Sequence, residues 1–248
     1  MNVILLGTLA SLLAGSMTII GASAVFFMRK VSEKFLDSAL GFAAGVMLAA
    51  TFFGLIMPAI RIGGIWKAAL GILLGTAFLI LIEKAIPHMH RVAGLKGPHT
   101  HLSKMALFIL AMTIHNFPEG LSVGVGFGGT DIRAGTILAV GIGIQNLIEG
   151  LVVSLPLFTR DKNKITKAFL IASSTCIVEP IGGFLGVSIV SLSRALVPYG
   201  LSFAAGAMLF VTSEEIIPET HSRGNAREAS LGIILGFVVM MLLENLFV

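Results

Sequence analysis

Two short stretches of this chain place metal-binding groups where no solvent reaches them. The first, Thr113-Ile114-His115-Asn116-Phe117-Pro118-Glu119-Gly120, lies inside an apolar run from about Met105 to Phe127. On a helix His115 and Glu119 share one face, and Asn116 lies about 100° round from His115. Thirty residues on, the spacing returns as Gln145-Asn146-Leu147-Ile148-Glu149-Gly150, with Gln145 for His115, Asn146 for Asn116 and Glu149 for Glu119. An ionised carboxylate at mid-bilayer costs about 2.5–3.5 kcal/mol on insertion scales, so Glu119 and Glu149 need a compensating partner. No Lys or Arg lies near them in either run. One answer is a helix–helix hydrogen-bond network with protonated acids. A divalent cation fits better: two carboxylates supply charge, His115 an imidazole nitrogen, and Asn116, Gln145 and Asn146 neutral oxygens. Such a set suits zinc, iron, nickel or manganese better than magnesium or calcium. Without a Cys₄ or His₃ cage it is tuned for release as well as capture.

The elements that must hold these groups are membrane helices. The chain has 248 residues, of which 56% are hydrophobic and 12% charged, with a mean hydropathy of +0.97. Its repeated apolar runs are each close to the roughly 20 residues that cross a bilayer. We place spans at about 3–27, 37–60, 65–86, 105–127, 134–158, 167–191, 198–218 and 229–247, forming one domain over 1–248. Pro118 is expected to kink the fourth span. The 29 glycines suit close helix packing in lipid. The single cysteine, Cys176, excludes an internal disulfide and a thiolate cluster. The net charge of +4 calls for no nucleic acid, because basic residues of membrane proteins collect in cytoplasmic loops. Thirteen Lys and Arg fall in the odd-numbered connections and four (Arg61, Lys67, Arg133, Arg194) in the even ones. Both termini are therefore expected outside, in an inner-membrane protein.

A longer repeat underlies the order of spans. Phe42-Ala43-Ala44-Gly45-Val46-Met47 through Thr51 returns as Phe203-Ala204-Ala205-Gly206-Ala207-Met208 through Thr212. The same offset of 161 residues aligns Glu83 with Glu244 and Gly21 with Gly182. Spans 1–3 thus resemble spans 6–8. A displacement of five spans inverts one copy relative to the other, and adjacent spans 4 and 5 form a second inverted pair. The expected fold is an all-α bundle arranged three plus two plus three. Inverted repeats around a polar site are a mark of secondary transporters.

The residues from His115 to Gly120, with Gln145-Asn146 and Glu149-Gly150, resemble the metal-binding fourth and fifth helices of the ZIP (Zrt/Irt-like) family, in its bacterial GufA-like branch. Ala43 to Met47, Val178-Glu179-Pro180 and Ser213 to His221 extend the likeness over all eight spans. The resemblance implies a carrier of Zn²⁺, and of Fe²⁺, Mn²⁺ or Cd²⁺, into the cytoplasm. The metal is substrate and no cofactor is implied; the partners are divalent ions, lipid and a second copy in a homodimer. It also implies His115, Glu119, Gln145 and Glu149 as ligands of the transport site, with Met47 as a soft ligand. Asn116, Asn146, Glu149 and Glu179 would line an adjacent position, and spans 1, 4, 5 and 6 would move against 2, 3, 7 and 8. Asn146 replaces an Asp of several relatives. Leu147-Ile148 replaces a Pro-containing pair, so the fifth span is expected to be straighter than the fourth. Gln145 in place of a second His makes a harder site.

Other polar residues give weaker signals. Glu214 and Glu215 read as an exit path or as a solvated interfacial face. Glu83 and Glu244, near span ends, read as snorkelling or capping groups. His88, His90, His99 and His101 make the third connection either a metal-attracting tract or a merely polar loop. An enzyme is the main competing class. No H-E-x-x-H and no G-x-x-x-x-G-K-[ST] occurs, and Gly120-Leu121-Ser122-Val123-Gly124 matches a nucleophile elbow in letters only, inside a helix.

Overall fold

The structure is a computed structural model describing residues 2–27, 31–90, 94–129, 131–154 and 162–247. Among the described residues, eight helices are long and apolar enough to cross a membrane. They are α1 (Val3–Phe26), α2 (Glu33–Gly63), α3 (Ile65–Ala85), α4 (Ala106–Gly128), α5 (Ile132–Ser154), α6 (Ile165–Leu192), α7 (Arg194–His221) and α8 (Ala226–Leu246). All eight expected spans are found. Arg29, Lys30, Arg91 and Arg160, part of the loop-charge count, lie outside the described residues.

Packing is inverted relative to a water-soluble bundle. The buried side of α1 consists of Gly7, Ser11, Ala14, Gly15, Thr18, Gly21 and Ala22, while Leu5, Leu9, Leu12, Leu13, Ile19 and Ile20 point outward. Lipid gives no hydrophobic reason to hide leucine, so helices associate through small residues that bring backbones together. The principal partners are α1 with α5, α4 with α6, α2 with α8 and α3 with α7. This set maps onto itself when helices 1–3 exchange with 6–8 and 4 with 5.

The closest approaches follow the same exchange. A Cβ on Gly150 would overlap the carbonyl of Thr18, and one on Gly21 that of Leu147. Their counterparts are Gly120 against the backbone of Glu179 and Gly182 against Phe117. The glycine after each motif glutamate is therefore where that helix's backbone touches its partner.

Several helices are less regular than expected. α2 widens to a π turn over Ala50–Ile56 and α7 over Thr212–Ile216, each followed by a proline, Pro58 or Pro218. α6 tightens to a 3₁₀ turn at Thr175–Ile177. Such turns free backbone groups and redirect side chains. α4, in contrast, continues through Pro118 to Gly128. Gly64, at φ +83°, makes the turn between α2 and α3 in a conformation that side-chain-bearing residues avoid.

The third connection contains regular structure that the sequence pattern does not show. His88–His90 (β1) and Gly94–Lys96 (β2) form an antiparallel hairpin that pairs His88 with Lys96 and packs on α4. His88 is fully buried, its Nδ1 2.7 Å from the Ile86 carbonyl oxygen. Glu83 and Glu244 correct the snorkelling reading, since both are buried. Glu83 meets Lys96 at 3.4 Å, and Glu244 lies against Gly54 in the π turn of α2.

Candidate metal centre

The site gathers where α4 and α5 meet. His115, Asn116 and Glu119 on α4, Gln145, Asn146 and Glu149 on α5, and Glu179 on α6 are all buried. Gln145 Nε2 donates to Glu119 Oε1 at 2.5 Å and to Glu149 Oε1 at 3.3 Å, tying the two motifs together. Beside it, Asn146 Nδ2 donates to Glu179 Oε2 at 2.8 Å and to the Ala14 carbonyl at 3.1 Å. The Glu179 carboxylate has room only because residue 15 is glycine: a Cβ there would stand 2.9 Å from its carboxyl carbon. Ser11 Oγ fixes the backbone of Glu179 by donating to its carbonyl at 2.8 Å.

Three expected ligands are engaged elsewhere. His115 Nε2 is paired with Glu215 Oε2 from α7, although Glu149 is near enough for the two charges to interact. Asn116 Nδ2 donates to the Thr175 carbonyl at 3.1 Å, in the 3₁₀ turn of α6. Met47 is fully buried, and its sulfur accepts from Thr212 Oγ1 at 3.7 Å. Consequently, among the described residues no group of three or more His, Cys, Asp or Glu side chains is arranged to hold a metal by itself. The donors nearest one another are two acids and an amide.

What remains open is a set of oxygens. Asn116 Oδ1, Glu119 Oε2, Gln145 Oε1, Asn146 Oδ1 and Glu179 Oε1 are buried and lack hydrogen-bond partners. Buried acceptors are normally satisfied, and leaving one bare costs about 1–3 kcal/mol. Five in one region form a surface that can accept a cation and offers nothing to an anion.

Glu215 is the residue that sequence reasoning placed least well. Its neighbour Glu214 is exposed and binds Lys96 at 3.0 Å, whereas Glu215 is buried and reaches His115. The wide π turn carries both acids and sends them to different partners. The carboxylates of Glu83 and Glu215 also lie near enough for their charges to interact. A continuous polar path thus runs from His115 through Glu215 and Glu83 to Lys96 on the hairpin, beside a cleft of about 480 Å³. Burial works against the charge of Lys96, but its bond to Glu214 and the charges of Glu83, Glu214 and Glu215 outweigh it, so its pKa stands above the ordinary 10.5. The acidic doublet within an apolar span was the visible signal; its pairing with His115 was not. Ser122 is fully buried and donates to the Glu119 carbonyl at 2.7 Å, so it is no nucleophile elbow.

A family described as ZIP Zinc transporter matches residues 96–244. The chain is also 42% identical to "Zinc transporter GufA" of Myxococcus xanthus, over 96% of this chain and 97% of the relative. The chain belongs to the ZIP family. It is 38% identical to "Zinc transporter ZIPB" of Bordetella bronchiseptica, over 92% of this chain and 77% of that protein. A further relative, "Zinc transporter ZupT" of Clostridium perfringens, is 31% identical over 100% and 98%. This ZIP protein is a multi-pass membrane protein.

Proposed function

We propose that this ZIP protein is a secondary carrier that moves divalent transition metals, chiefly zinc and also iron, manganese or cadmium, into the cytoplasm. The observation that carries this reading is the set of five unpartnered buried oxygens on α4, α5 and α6, in a region with two further acids and an imidazole. In the membrane interior such a set needs a cation. His115, Glu119, Gln145 and Glu149 hold the ion at the transport position; Met47 approaches from α2. Asn116, Asn146 and Glu179 serve an adjacent position, where Glu149 is shared. To complete this set His115 leaves Glu215, and the path through Glu215, Glu83 and Lys96 then leads the ion toward the cytoplasm.

The chain acts as one domain over 1–248 with a three-plus-two-plus-three inverted repeat, which the paired glycine contacts support. It lies in the cytoplasmic membrane with both termini outside, works as a homodimer and is not an enzyme. The names of these relatives, all zinc transporters, favour zinc as principal cargo. The test is radiolabelled zinc uptake into vesicles holding the purified chain alone. Saturable accumulation is expected; binding without accumulation inside would reduce the protein to a metal-binding scaffold.

A further inference from the structure

The two amides of the site face their acids with nitrogen. Gln145 Nε2 spans one oxygen of Glu119 and one of Glu149, and Asn146 Nδ2 covers one oxygen of Glu179. The amide oxygens, Gln145 Oε1 and Asn146 Oδ1, are the atoms left without partners. An amide nitrogen donates hydrogen bonds and offers no lone pair to a metal, whereas the oxygen is a ligand. The observed arrangement therefore excludes a metal that Gln145 would hold between Glu119 Oε1 and Glu149 Oε1, where its nitrogen now stands. A half-turn of the carboxamide exchanges oxygen for nitrogen within almost the same volume.

We propose that Gln145 is a resident placeholder: its NH₂ group stands in for the cation between Glu119 and Glu149 in the metal-free half of the transport cycle, and its carboxamide turns over to present Oε1 when the ion arrives. This rests on the metal-carrier reading above and adds to the same side chain a duty when no metal is bound. A carrier returns without cargo after each release, and two buried acids with no counter-charge resist that passage. The NH₂ group satisfies an oxygen of each acid while bringing no full charge to compete with the ion. A lysine would compete permanently. A histidine nitrogen carries a single hydrogen and so cannot bridge both acids from one atom. Asn146 gives Glu179 the same service, and Ala14 anchors it.

The chain makes one experiment unusually clean, because Gln145 is its single glutamine. Side-chain ¹⁵N-glutamine labelling of the full protein in lipid nanodiscs gives one NH₂ resonance pair. With chelator present the pair should lie downfield, as a short bond to a carboxylate requires. Saturating Cd²⁺ should move it upfield as the NH₂ leaves the acids. A pair that keeps its downfield position with cadmium bound would overturn the proposal.

Transport supplies the second arm. In vesicles with wild-type and Gln145→Glu protein, zinc uptake is measured as net entry and as exchange against internal zinc, where the carrier returns loaded. Gln145→Glu keeps an oxygen ligand and loses the NH₂ group. The ratio of exchange to net uptake should rise about tenfold, the effect of leaving a buried acceptor unsatisfied in one state only. An unchanged ratio would mean that Gln145 is no more than a ligand. Failure of the wild type in both modes would instead defeat the carrier reading.

Discussion

Replacing Gly120 by alanine tests whether the packing of α4 on α6 sets the metal site. The added Cβ would stand 2.6 Å from the Cα and 2.7 Å from the carbonyl carbon of Glu179. Carbon atoms rest about 3.5–4.0 Å apart, so the two backbones must part by roughly 1 Å at this level. Overpacking costs about 1–3 kcal/mol, against which alanine regains about 1 kcal/mol of helix propensity over glycine. The net loss should be about 0–2 kcal/mol, a modest effect on stability. Its effect on transport should be larger, because Glu119 precedes the displaced residue and Glu179 lies opposite; a 1 Å misplacement can cost about 100-fold where geometry is demanding. Gly143→Ala is the control. It lies on α5 two residues before Gln145, and its Cβ would meet only Met17 Cγ at 3.4 Å and Ala14 Cα at 3.7 Å, ordinary contacts. It should be neutral or stabilising by up to about 1 kcal/mol. Thermal unfolding in detergent and zinc uptake in vesicles measure both variants. If Gly120→Ala matched Gly143→Ala in both, the close backbone contact would not be what holds the site.

Arg223→Met should destabilise by about 3 kcal/mol in thermal unfolding, since it strips the buried Asp37 of its ion pair and leaves only Asn225 at 2.9 Å. Arg223→Met combined with Asp37→Asn should recover most of that loss; a double variant as unstable as the single one would count against the pair. Lys96→Gln should loosen the hairpin and raise proteolytic cleavage within residues 88–101 several-fold, because Lys96 ties it to Glu83 and Glu214. In the wild type the folded-state pKa of Lys96 is raised, so its contribution is complete below 10.5 and fades only as pH climbs through the higher folded value. Wild-type cleavage that rose between pH 8 and pH 9 while that of Lys96→Gln stayed constant would contradict this. Gln145→His should shift competition uptake toward zinc over manganese, because nitrogen ligands suit zinc better; an unchanged profile would remove Gln145 from the ion's contacts.

The eight spans were legible because apolar length is a strong signal and lipid enforces it. Gly21 and Gly182 were legible as repeat partners, and the structure gives the physical reason, a backbone contact at each. Glu119, Gln145 and Glu149 were legible as neighbours because helical spacing and the 30-residue recurrence put them on facing helices. The partner of His115 was not. Glu215 sits 100 residues away on α7, and only the π turn aims it inward. Sequence periodicity assumes regular α-helix, so it misplaces residues beyond a widened turn. Burial of Glu83 and His88 escaped for a similar reason: the hairpin folds back over the helix end, and no local pattern in the third connection reports that. The orientation of the Gln145 and Asn146 amides is likewise a property of the assembled site alone.

The most direct test of the central claim is anomalous diffraction at the zinc edge from crystals of the protein grown in lipid with zinc. The account predicts a peak bounded by Glu119, Gln145 and Glu149, with His115 turned from Glu215 to complete the set. A peak confined to the hairpin histidines, with Gln145 still bridging Glu119 and Glu149, would contradict it.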